Sequence, residues 1–551
     1  MNLTIQRVSS LEKIRTADDI KTACSDKKCM LGGETYSYQI ALYSKSCFLA
    51  NVELNSPLKD FINLYTVDDV IMDLPHPDGI EDTDFITSEP GKMPDLLTPL
   101  KNSNGRIRVN GSPRSLWVEI NLPADYPAGV YPVEIIFDAN PQYSSNEHFS
   151  YTQKTMIEVL GVNIPEQKTI FTQWFHTDCI ASAHNVAVYS EEHWDLIDKY
   201  IKMAVKSGIT MILTPVLTPP LDTGIGEMRP CTQLVKIEKN GEQYSFDFSL
   251  LKRWIELCKK NGIKYYEISH LFSQWGLEYS PNIMVTENGE EVHMFGWHVK
   301  AQSEEYKSFI LQLVPELVDF LEKENVKEQC YFHLSDEPNL NHLENYRYAY
   351  ELVVPLLKGC KTMDAISDFA FYETGLIPTP VTATNHIEPF LENNIENLWA
   401  YYCCSQSEDV GNRFLAMPSY RNRILGLQLY KYNIKGFLQW GYNFYYSQLS
   451  QFEINPYLTT SASFAFPSGD PFSVYPGKNE VLPSLRALIF REALQEVELC
   501  RLLESFIGKK AVVEIIEKHA NMEITFRDYP RNSEFLPSLN DKIKEEIKKY
   551  I

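Results

Sequence analysis

The sequence lacks the short motifs that mark several large classes of protein. It has no glycine-rich phosphate-binding loop, no dinucleotide fingerprint and no Gly-x-Ser-x-Gly nucleophile elbow. It also has no paired Cys-x-x-Cys clusters of the zinc-binding kind, and no apolar run approaches the length of a transmembrane helix. We therefore expect no zinc site of the paired-cysteine kind, no nucleotide cofactor, and no catalysis by a serine or cysteine nucleophile.

Positive charge is also scarce. The 551 residues include 51 Lys and Arg against 73 Asp and Glu, for a net charge of -22. A field of this sign disfavours nucleic acid and anionic membranes as partners, so we expect a neutral, soluble substrate. Residues 12–15 are mostly charged where a secretion signal would be apolar. The 11 scattered cysteines, with Cys403 and Cys404 adjacent, are interpreted as reduced thiols, and both features predict a cytoplasmic protein.

The first part of the chain is rich in predicted strands. Turn residues separate five segments in which apolar and polar side chains alternate: 36–42, 47–54, 115–122, 130–137 and 155–162. This pattern predicts an N-terminal antiparallel β-sandwich over residues 1–165.

From about residue 169 short apolar strands alternate with amphipathic helices, which is typical of parallel βα units. Eight strands are predicted, the number that a closed barrel needs: 170–175, 210–214, 265–269, 331–334, 363–366, 381–385, 398–402 and 436–440. The helices are predicted at 191–206, 250–261, 303–324, 340–357 and 482–505. Inserts at 226–244 and 281–298 are expected to form hairpins that wall a pocket. The fold class is therefore α/β with an all-β companion: a (β/α)8 TIM-like barrel over 166–505, followed by a C-terminal extension over 506–551 with helices at 511–518 and 541–549. The helix at 541–549 is expected to present a charged, solvated face.

An acidic pair follows the fourth predicted strand, in the tetrapeptide Ser335-Asp336-Glu337-Pro338. By itself this tetrapeptide would most simply start a helix, because Ser and Asp are good caps and Glu and Pro suit the first turn. In an α/β barrel, however, the active site lies at the C-terminal ends of the strands. The barrel context therefore favours a catalytic interpretation of Asp336 and Glu337.

Two adjacent carboxyl groups fit one particular reaction. Glycosidases normally hold two carboxyl groups on opposite sides of the scissile bond, but the seventh predicted strand ends without an acid. In substrate-assisted hydrolysis the sugar's own 2-acetamido oxygen attacks the anomeric carbon. Asp336 would then polarise the acetamide, and Glu337 would act as general acid and base, with its proton retained by burial beside a second carboxylate. This mechanism predicts retention of the anomeric configuration.

Several motifs accompany the pair, at 127–131, 174–178, 335–338, 440–443, 469–477, 485–487 and 491–494. Together they resemble glycoside hydrolase family 123, the β-N-acetylgalactosaminidases, and the wider group of proteins that share its catalytic domain. The resemblance spans nearly the whole chain. It implies a β-sandwich followed by a barrel, no metal, and an Asp-Glu pair in substrate-assisted catalysis that falls on Asp336 and Glu337. It also implies a retaining exo-glycosidase that removes terminal β-linked N-acetylhexosamine, especially N-acetylgalactosamine, from a small-molecule or oligosaccharide glycoside.

Other side chains near the predicted strand ends are candidates for binding the sugar. They are Trp174, His176, Asp178, His270, Asn385, Tyr401, Tyr402, Trp440, Tyr442 and Asn443. Indole faces stack on sugar rings, and His, Asp, Asn and Tyr bind hydroxyl or amide groups. For each the alternative is a structural role at the barrel rim, and for His176 with Asp178 also a metal, although no third ligand accompanies them. Trp297 and His298, in the second insert, are expected either to reach over the pocket or to anchor their own hairpin.

Two rival functions remain at the level of sequence. The first is a double-displacement glycosidase of different sugar specificity, with a nucleophile such as Glu267 or Glu373. The second is a non-catalytic carbohydrate-binding protein on a barrel scaffold. Retention of both Asp336 and Glu337 argues against a pure binding protein, which needs no general acid.

Overall fold

A computed structural model of the protein describes residues 3–20, 25–141 and 148–551. Its N-terminal part is β-rich and consists of two five-stranded sheets. In spatial order the first contains Leu3–Ser9, Thr35–Ser44, Arg114–Asn121, Ile62–Met72 and Gly91–Pro99. The second contains Lys27–Gly32, Phe149–Asn163, Gly129–Pro141, Phe48–Asn55 and Arg106–Val109. All five predicted strands of this region are therefore confirmed.

The pairing in these sheets is antiparallel with one exception. Lys27–Gly32 runs parallel to Phe149–Asn163, which departs from the purely antiparallel arrangement that we expected. Apolar side chains from both sheets share one buried core, with Ile40 and Val118 from the first sheet and Ile135 from the second. These strands are rich in β-branched and aromatic residues, which suit a pleated surface that is buried on one side.

A nine-stranded parallel sheet follows. In spatial order its strands are Lys361–Thr362, Cys330–Phe332, Tyr265–Ile268, Met211–Thr214, Ile170–Gln173, Gly436–Gln439, Trp399–Tyr401, Pro380–Ala383 and Asp364–Ala365. The two edge strands are halves of one segment that is interrupted only at Met363, so the sheet nearly closes on itself. Each of the eight predicted strands overlaps an observed strand, and the fifth is split.

Helices connect these strands, and further helices follow the last of these strands along the chain. The α-helices are Thr177–His184, Glu191–Lys206, Ser249–Asn261, Glu304–Lys323, Leu343–Val353, Phe369–Tyr372, Glu388–Glu392, Tyr420–Arg423, Leu425–Lys431, Leu485–Ile507, Lys509–Ala520 and Phe535–Ile547. Short 3-10 turns occur at Ala17–Asp19, Lys59–Phe61, Leu100–Ser103, Lys327–Gln329, Leu340–His342, Val354–Leu357 and Gln448–Ser450. Leu425–Lys431 packs so closely on Leu485–Ile507 that a Cβ at Gly426 would lie 2.2 Å from the Ala493 carbonyl oxygen.

The two inserts form the expected hairpins. Their strands join in one four-stranded sheet, in the order Gln243–Asp247, Lys236–Asn240, Ile283–Glu287 and Glu290–Phe295. A smaller antiparallel hairpin, Val474–Gly477 with Glu480–Pro483, precedes the long helix Leu485–Ile507.

The last helix corrects one prediction. Residues 541–549 were expected to be a charged, solvated helical face, but the helix is Phe535–Ile547 and it buries Leu539, Ile543 and Ile547. Lys544 is buried too. The cost of burying its ammonium group is offset because the group donates to the Cys29 carbonyl oxygen at 2.9 Å and pairs with Glu34. The apolar period of three and four residues therefore outweighs the charge of this segment.

Polar contacts tie the N-terminal part to the rest of the chain. Lys13 donates to the carbonyl oxygens of Leu415 at 2.7 Å and Met417 at 2.8 Å. The buried guanidinium of Arg486 pairs with Asp95 at 2.9 Å. Among the residues that the structure describes, no helix is both long enough and apolar enough to cross a membrane.

Candidate active site

A pocket of about 120 Å³ lies at the C-terminal ends of the parallel strands. Its lining comprises Trp174, His176, Leu221, Asp222, Gln274, Trp275, Asp336, Glu337, Ala365, Tyr401, Cys403, Cys404, Leu438, Trp440 and Phe466. A larger cavity of about 300 Å³ lies elsewhere, between the N-terminal part and the last helices, and its mixed charges include Arg7, Glu492 and Asp541. We assign the active site to the smaller pocket because it holds the acidic pair at the strand ends.

The acidic pair lies in a loop between the strand Cys330–Phe332 and the turn Leu340–His342. Glu337 has φ = 46°, in the left-handed region that costs a non-glycine residue energy, and such strain clusters at functional sites. The capping role belongs to Asn339, whose side chain accepts the Asn341 backbone N–H at 3.0 Å. Asp336 and Glu337 are thus free of the helix-capping function that their sequence context allowed.

The two acids have different surroundings. Asp336 is buried, and burial followed by the charge of Glu337 raises its pKa well above the ordinary value of 3.8. Glu337 Oε1 accepts a hydrogen bond from the Tyr401 hydroxyl at 2.7 Å. Because Tyr401 donates there, its oxygen accepts from the Ser367 hydroxyl at 3.2 Å. Tyr401 therefore fixes the direction of the Glu337 carboxyl group.

Aromatic side chains form much of the pocket wall. The indole N–H of Trp174 donates to Glu267 Oε1 at 2.7 Å, and that of Trp440 donates to Asp470 Oδ2 at 2.8 Å. These bonds fix both rings from behind the pocket, and aromatic faces of this kind stack on sugar rings. Trp275 is half exposed at the rim.

A buried network of charged groups lies beside Trp174. Glu267 accepts hydrogen bonds from the Thr172 hydroxyl at 2.6 Å and from His333 Nε2 at 2.7 Å, while His333 Nδ1 lies 2.9 Å from Asp364 Oδ1. Burial alone would lower the pKa of His333, but the hydrogen bonds to Asp364 and Glu267 raise it to about 10. His333 is therefore a cation that bridges two carboxylates.

The proposed alternative nucleophiles both lie outside the pocket lining. Glu267 is fully buried and has its oxygens engaged by Thr172, Trp174 and His333. Glu373 is exposed at the end of the helix Phe369–Tyr372. Neither carboxylate is placed to attack a sugar in this pocket.

His176 reaches the pocket as part of a second buried cluster. Asp178 makes a two-pronged ion pair with Arg229 at 2.7 Å, and Arg229 Nη2 lies 3.2 Å from His176 Nδ1. His176 Nε2 lies 3.2 Å from the Trp440 carbonyl oxygen, so Nε2 donates and Nδ1 accepts. Burial, followed by the charge of Arg229, lowers the pKa of His176 to about 3. The ring is therefore neutral.

The pocket lining contains some of the predicted site residues and not others. It includes Trp174, His176, Asp336, Glu337, Tyr401 and Trp440, whereas Asp178, His270, Asn385, Tyr402, Tyr442 and Asn443 lie outside it. His270 stacks on His333 with ring centroids 4.3 Å apart, and Tyr402 donates to Asn422 at 3.2 Å. Of the two neighbouring tyrosines, Tyr401 is the one that faces the pocket.

The other three residues outside the lining also have partners within the protein. Tyr442 donates to the Tyr200 carbonyl oxygen at 2.9 Å, Asn385 accepts from Gln406 at 2.9 Å, and Asn443 accepts the His176 backbone N–H at 2.9 Å. In the second insert, Trp297 donates to the Glu227 carbonyl oxygen at 3.1 Å, and His298 Nε2 lies 3.2 Å from the Met294 carbonyl oxygen. No residue of the inserts 226–244 and 281–298 lines the pocket, so the expectation that the inserts wall it is wrong.

Sequence reasoning missed several lining residues. Asp222 follows the strand Met211–Thr214, and Gln274 and Trp275 follow the strand Tyr265–Ile268. Their position after a parallel strand was the available signal, but each lies six or more residues beyond the strand end.

The comparisons with known proteins bear on this site. The family model "Glycoside hydrolase 123, catalytic domain" matches residues 174–503, which is more than half of the chain. The chain belongs to glycoside hydrolase family 123. The matched region contains the acidic pair and every residue of the pocket lining. Membership makes this protein a glycoside hydrolase rather than a non-catalytic carbohydrate-binding protein.

Solved structures extend the likeness to the whole chain. A family 123 glycoside hydrolase from Clostridium perfringens matches with a TM-score of 0.75 and 16% identity, over 100% of this chain and 98% of that chain. At this identity the match establishes the fold alone. XacCel5A (TM-score 0.32, 12% identity, 60% of this chain and 99% of that chain) and the sporulation control protein Spo0M from Bacillus subtilis (0.13, 12%, 28% and 49%) are too dissimilar to support an argument. No curated protein matches the sequence.

Proposed function

We propose that this family 123 hydrolase removes terminal β-linked N-acetylhexosamine, with N-acetylgalactosamine as the preferred sugar, by substrate-assisted catalysis with retention. The observation that carries the proposal is the presence of Asp336 and Glu337 side by side in one pocket walled by Trp174 and Trp440. The Clostridium perfringens relative was described for the hydrolysis of glycolipid glycans. We therefore propose that the substrate of this chain is a glycan or a small glycoside.

The mechanism begins with the proton that the acidic pair holds. Burial beside Glu337 favours the protonated form of Asp336 before substrate binds. When the acetamide N–H of the sugar donates to Asp336, the bond stabilises the carboxylate form, and the proton passes to Glu337. Substrate binding itself would thus generate the general acid.

The chemical steps then follow in order. The acetamide oxygen attacks the anomeric carbon as the bond to the leaving oxygen breaks, and Glu337 gives its proton to that oxygen. Asp336 stabilises the positive charge of the oxazolinium ring. Glu337, now a carboxylate held by Tyr401, removes a proton from water as the water opens the ring. The two inversions give net retention.

We also propose the finer architecture that the family implies. The two N-terminal sheets, which share a core, would form a β-sandwich over residues 1–165. The parallel sheet would be a (β/α)8 barrel over residues 166–505, with the split segment 361–365 counted as one strand. Residues 506–551 form the C-terminal extension.

The function is tested by hydrolysis of aryl β-N-acetylgalactosaminide and aryl β-N-acetylglucosaminide. We expect Asp336→Asn and Glu337→Gln to lower kcat/KM by about 10²–10⁴-fold, because each removes a group that acts in the transition state. A thiazoline analogue of the oxazolinium ring should inhibit the wild type. Equal turnover by the wild type and both variants would contradict the assignment.

One observation favours a second candidate, a double-displacement glycosidase. Asp222 is a further carboxylate in the pocket, and double displacement requires a second carboxylate as nucleophile. An aryl β-galactoside without the acetamide separates the two mechanisms. Substrate assistance predicts no measurable hydrolysis of that compound, whereas double displacement by Asp222 predicts turnover that Asp222→Asn abolishes.

A further inference from the structure

Asp222 and Gln274 lie together at one edge of the pocket, on loops that follow neighbouring strands. Gln274 is buried, and its Oε1 accepts the backbone N–H of Asp222 at 2.7 Å. Both side chains line the pocket, and the catalytic mechanism above uses neither.

The orientation of the Gln274 amide is fixed by its partner. A backbone N–H donates only, so the side-chain oxygen must face Asp222 and the NH₂ group must point elsewhere. That Nε2 is buried and has no hydrogen-bond partner among the residues that the structure describes. A buried donor without a partner is costly, and at the wall of a binding pocket a ligand acceptor is the natural partner.

Asp222 supplies the complementary group. Its Oδ2 accepts the Leu449 backbone N–H at 3.1 Å, which leaves the carboxylate with further acceptor capacity. Burial raises its pKa to about 6, while Arg229 pulls that value down, so the group is mainly ionised at neutral pH. A carboxylate acceptor beside an amide donor matches a hydroxyl group, which both donates and accepts.

The pair lies on the Asp336 side of the pocket. Glu337 is hydrogen-bonded to Tyr401 on the strand Trp399–Tyr401, whereas Asp222 and Gln274 follow Met211–Thr214 and Tyr265–Ile268, on the other side of the strand that leads to the acids. In the proposed function Asp336 holds the acetamide on C2 of the sugar, and Glu337 lies at C1. Continuing around the ring away from C1, the next substituents are the hydroxyl groups on C3 and C4.

We propose that Asp222 and Gln274 together bind one hydroxyl group on the C3–C4 edge of the terminal sugar, with Gln274 Nε2 as donor and the Asp222 carboxylate as acceptor. This inference rests on the proposed function, because the acetamide position defines the edge. A site built to pair with a hydroxyl rejects an analogue that lacks it much more strongly than an apolar pocket does. These two residues would therefore determine the sugar specificity of the enzyme.

The test compares aryl β-N-acetylgalactosaminide with its 3-deoxy and 4-deoxy analogues, for the wild type and Gln274→Met. We expect the wild type to lose about 100-fold in kcat/KM on one of the two analogues. Gln274→Met should lose a similar factor on the parent substrate but little more on that analogue, because its donor is already absent. The analogue that shows this non-additive loss identifies the hydroxyl.

Further variants separate recognition from folding. Asp222→Asn keeps the backbone N–H that Gln274 accepts and an oxygen for the Leu449 N–H but lacks the carboxylate acceptor, so it should show the same non-additive loss even if Gln274→Met is poorly folded. Gln302→Met, at an exposed position outside the pocket, should behave as the wild type.

Binding of the N-acetylgalactosamine-derived thiazoline, measured by calorimetry, distinguishes a failure of the proposed function from a failure of the hydroxyl assignment alone. If the wild type does not bind it, the proposed function fails and the hydroxyl assignment fails with it. If the wild type binds it and Gln274→Met and Asp222→Asn bind it equally well, the function stands and the hydroxyl assignment is overturned. Fully additive losses on both deoxy analogues would overturn the assignment in the same way.

Discussion

At the scale of single residues, the carboxyl group of Asp336 serves catalysis but should lower the stability of the folded protein at neutral pH. Its pKa in the folded protein lies well above 3.8. Above about pH 4 the unfolded chain therefore releases the proton more readily than the folded chain, and stability falls as pH rises. We expect Asp336→Asn to raise the free energy of unfolding at pH 7 by about 1–2 kcal/mol, although the same substitution lowers kcat/KM.

Denaturant unfolding of the two proteins across pH measures this effect. The gain should shrink as pH falls through about 4 and disappear below about 3, where Asp336 is protonated in both states. A variant that is less stable than the wild type at pH 7 would contradict the buried-acid argument.

Tyr401 should matter to catalysis through Glu337. Loss of its hydroxyl in Tyr401→Phe removes the 2.7 Å hydrogen bond to Glu337 and should lower kcat by about tenfold, with a shifted pH–rate profile. Tyr402→Phe is a matched control, because that hydroxyl bonds Asn422 outside the pocket. The control should keep the wild-type kcat and profile, and an equal loss in both variants would mean a purely structural role.

The sequence predicted the part of the site that lies directly at strand ends. Trp174, Tyr401 and Trp440 line the pocket because they end or immediately follow parallel strands. Asp222 and Gln274 escaped prediction because they lie on longer loops, whose paths depend on contacts such as Asp222 with Leu449 rather than on periodicity.

At the scale of elements, the cation His333 joins strands of the parallel sheet. It links Glu267 on Tyr265–Ile268 with Asp364 on Asp364–Ala365. Its pKa is raised from 6.5 to about 10, so its contribution to stability is complete below about pH 6.5 and is lost as pH rises through about 10.

Thermal unfolding between pH 7 and 10.5 tests this linkage. The wild type should lose stability steeply toward the alkaline end, whereas His333→Gln should be less stable by about 3 kcal/mol at pH 7 and show a flatter alkaline profile. Parallel profiles for the two proteins would contradict a cationic His333.

Element type was predictable where the apolar period was long, as in Glu191–Lys206, which agrees with the predicted 191–206. Short strands were harder to delimit. Cys330–Phe332 ends two residues before the predicted limit, because His333 and Leu334 already belong to the loop that carries the acids. The division of the fifth strand at Met363 has no signal in the local sequence.

At the scale of the whole molecule, the buried pair Asp95–Arg486 should be a principal link between the N-terminal part and the long helix Leu485–Ile507. Both side chains are buried, and Asp95 also accepts the Tyr475 hydroxyl at 2.6 Å. Asp95→Asn leaves the Arg486 cation uncompensated and should cost about 3–5 kcal/mol. Asp68→Asn, which breaks the partly exposed pair with Arg114, should cost about 1 kcal/mol or less.

Equilibrium unfolding in urea gives both values. Equal, small losses would show that the Asp95–Arg486 pair is not a principal link between the two parts of the chain. Such long-range links were beyond sequence reasoning, since Asp95 and Arg486 are 391 positions apart. The same is true of Lys544 against Glu34, which turns an apparently solvated helix into part of the core.

The left-handed backbone conformation of Glu337 has a cost that a single substitution can remove. Asn and Gly adopt this conformation at lower cost than Glu, so a descendant that no longer needed hydrolysis would gain stability by exchanging that single residue. A single exchange at position 337 would therefore relax the backbone and, at the same time, remove the carboxyl group that we propose as the general acid, while Asp336 and the two tryptophans stayed in place.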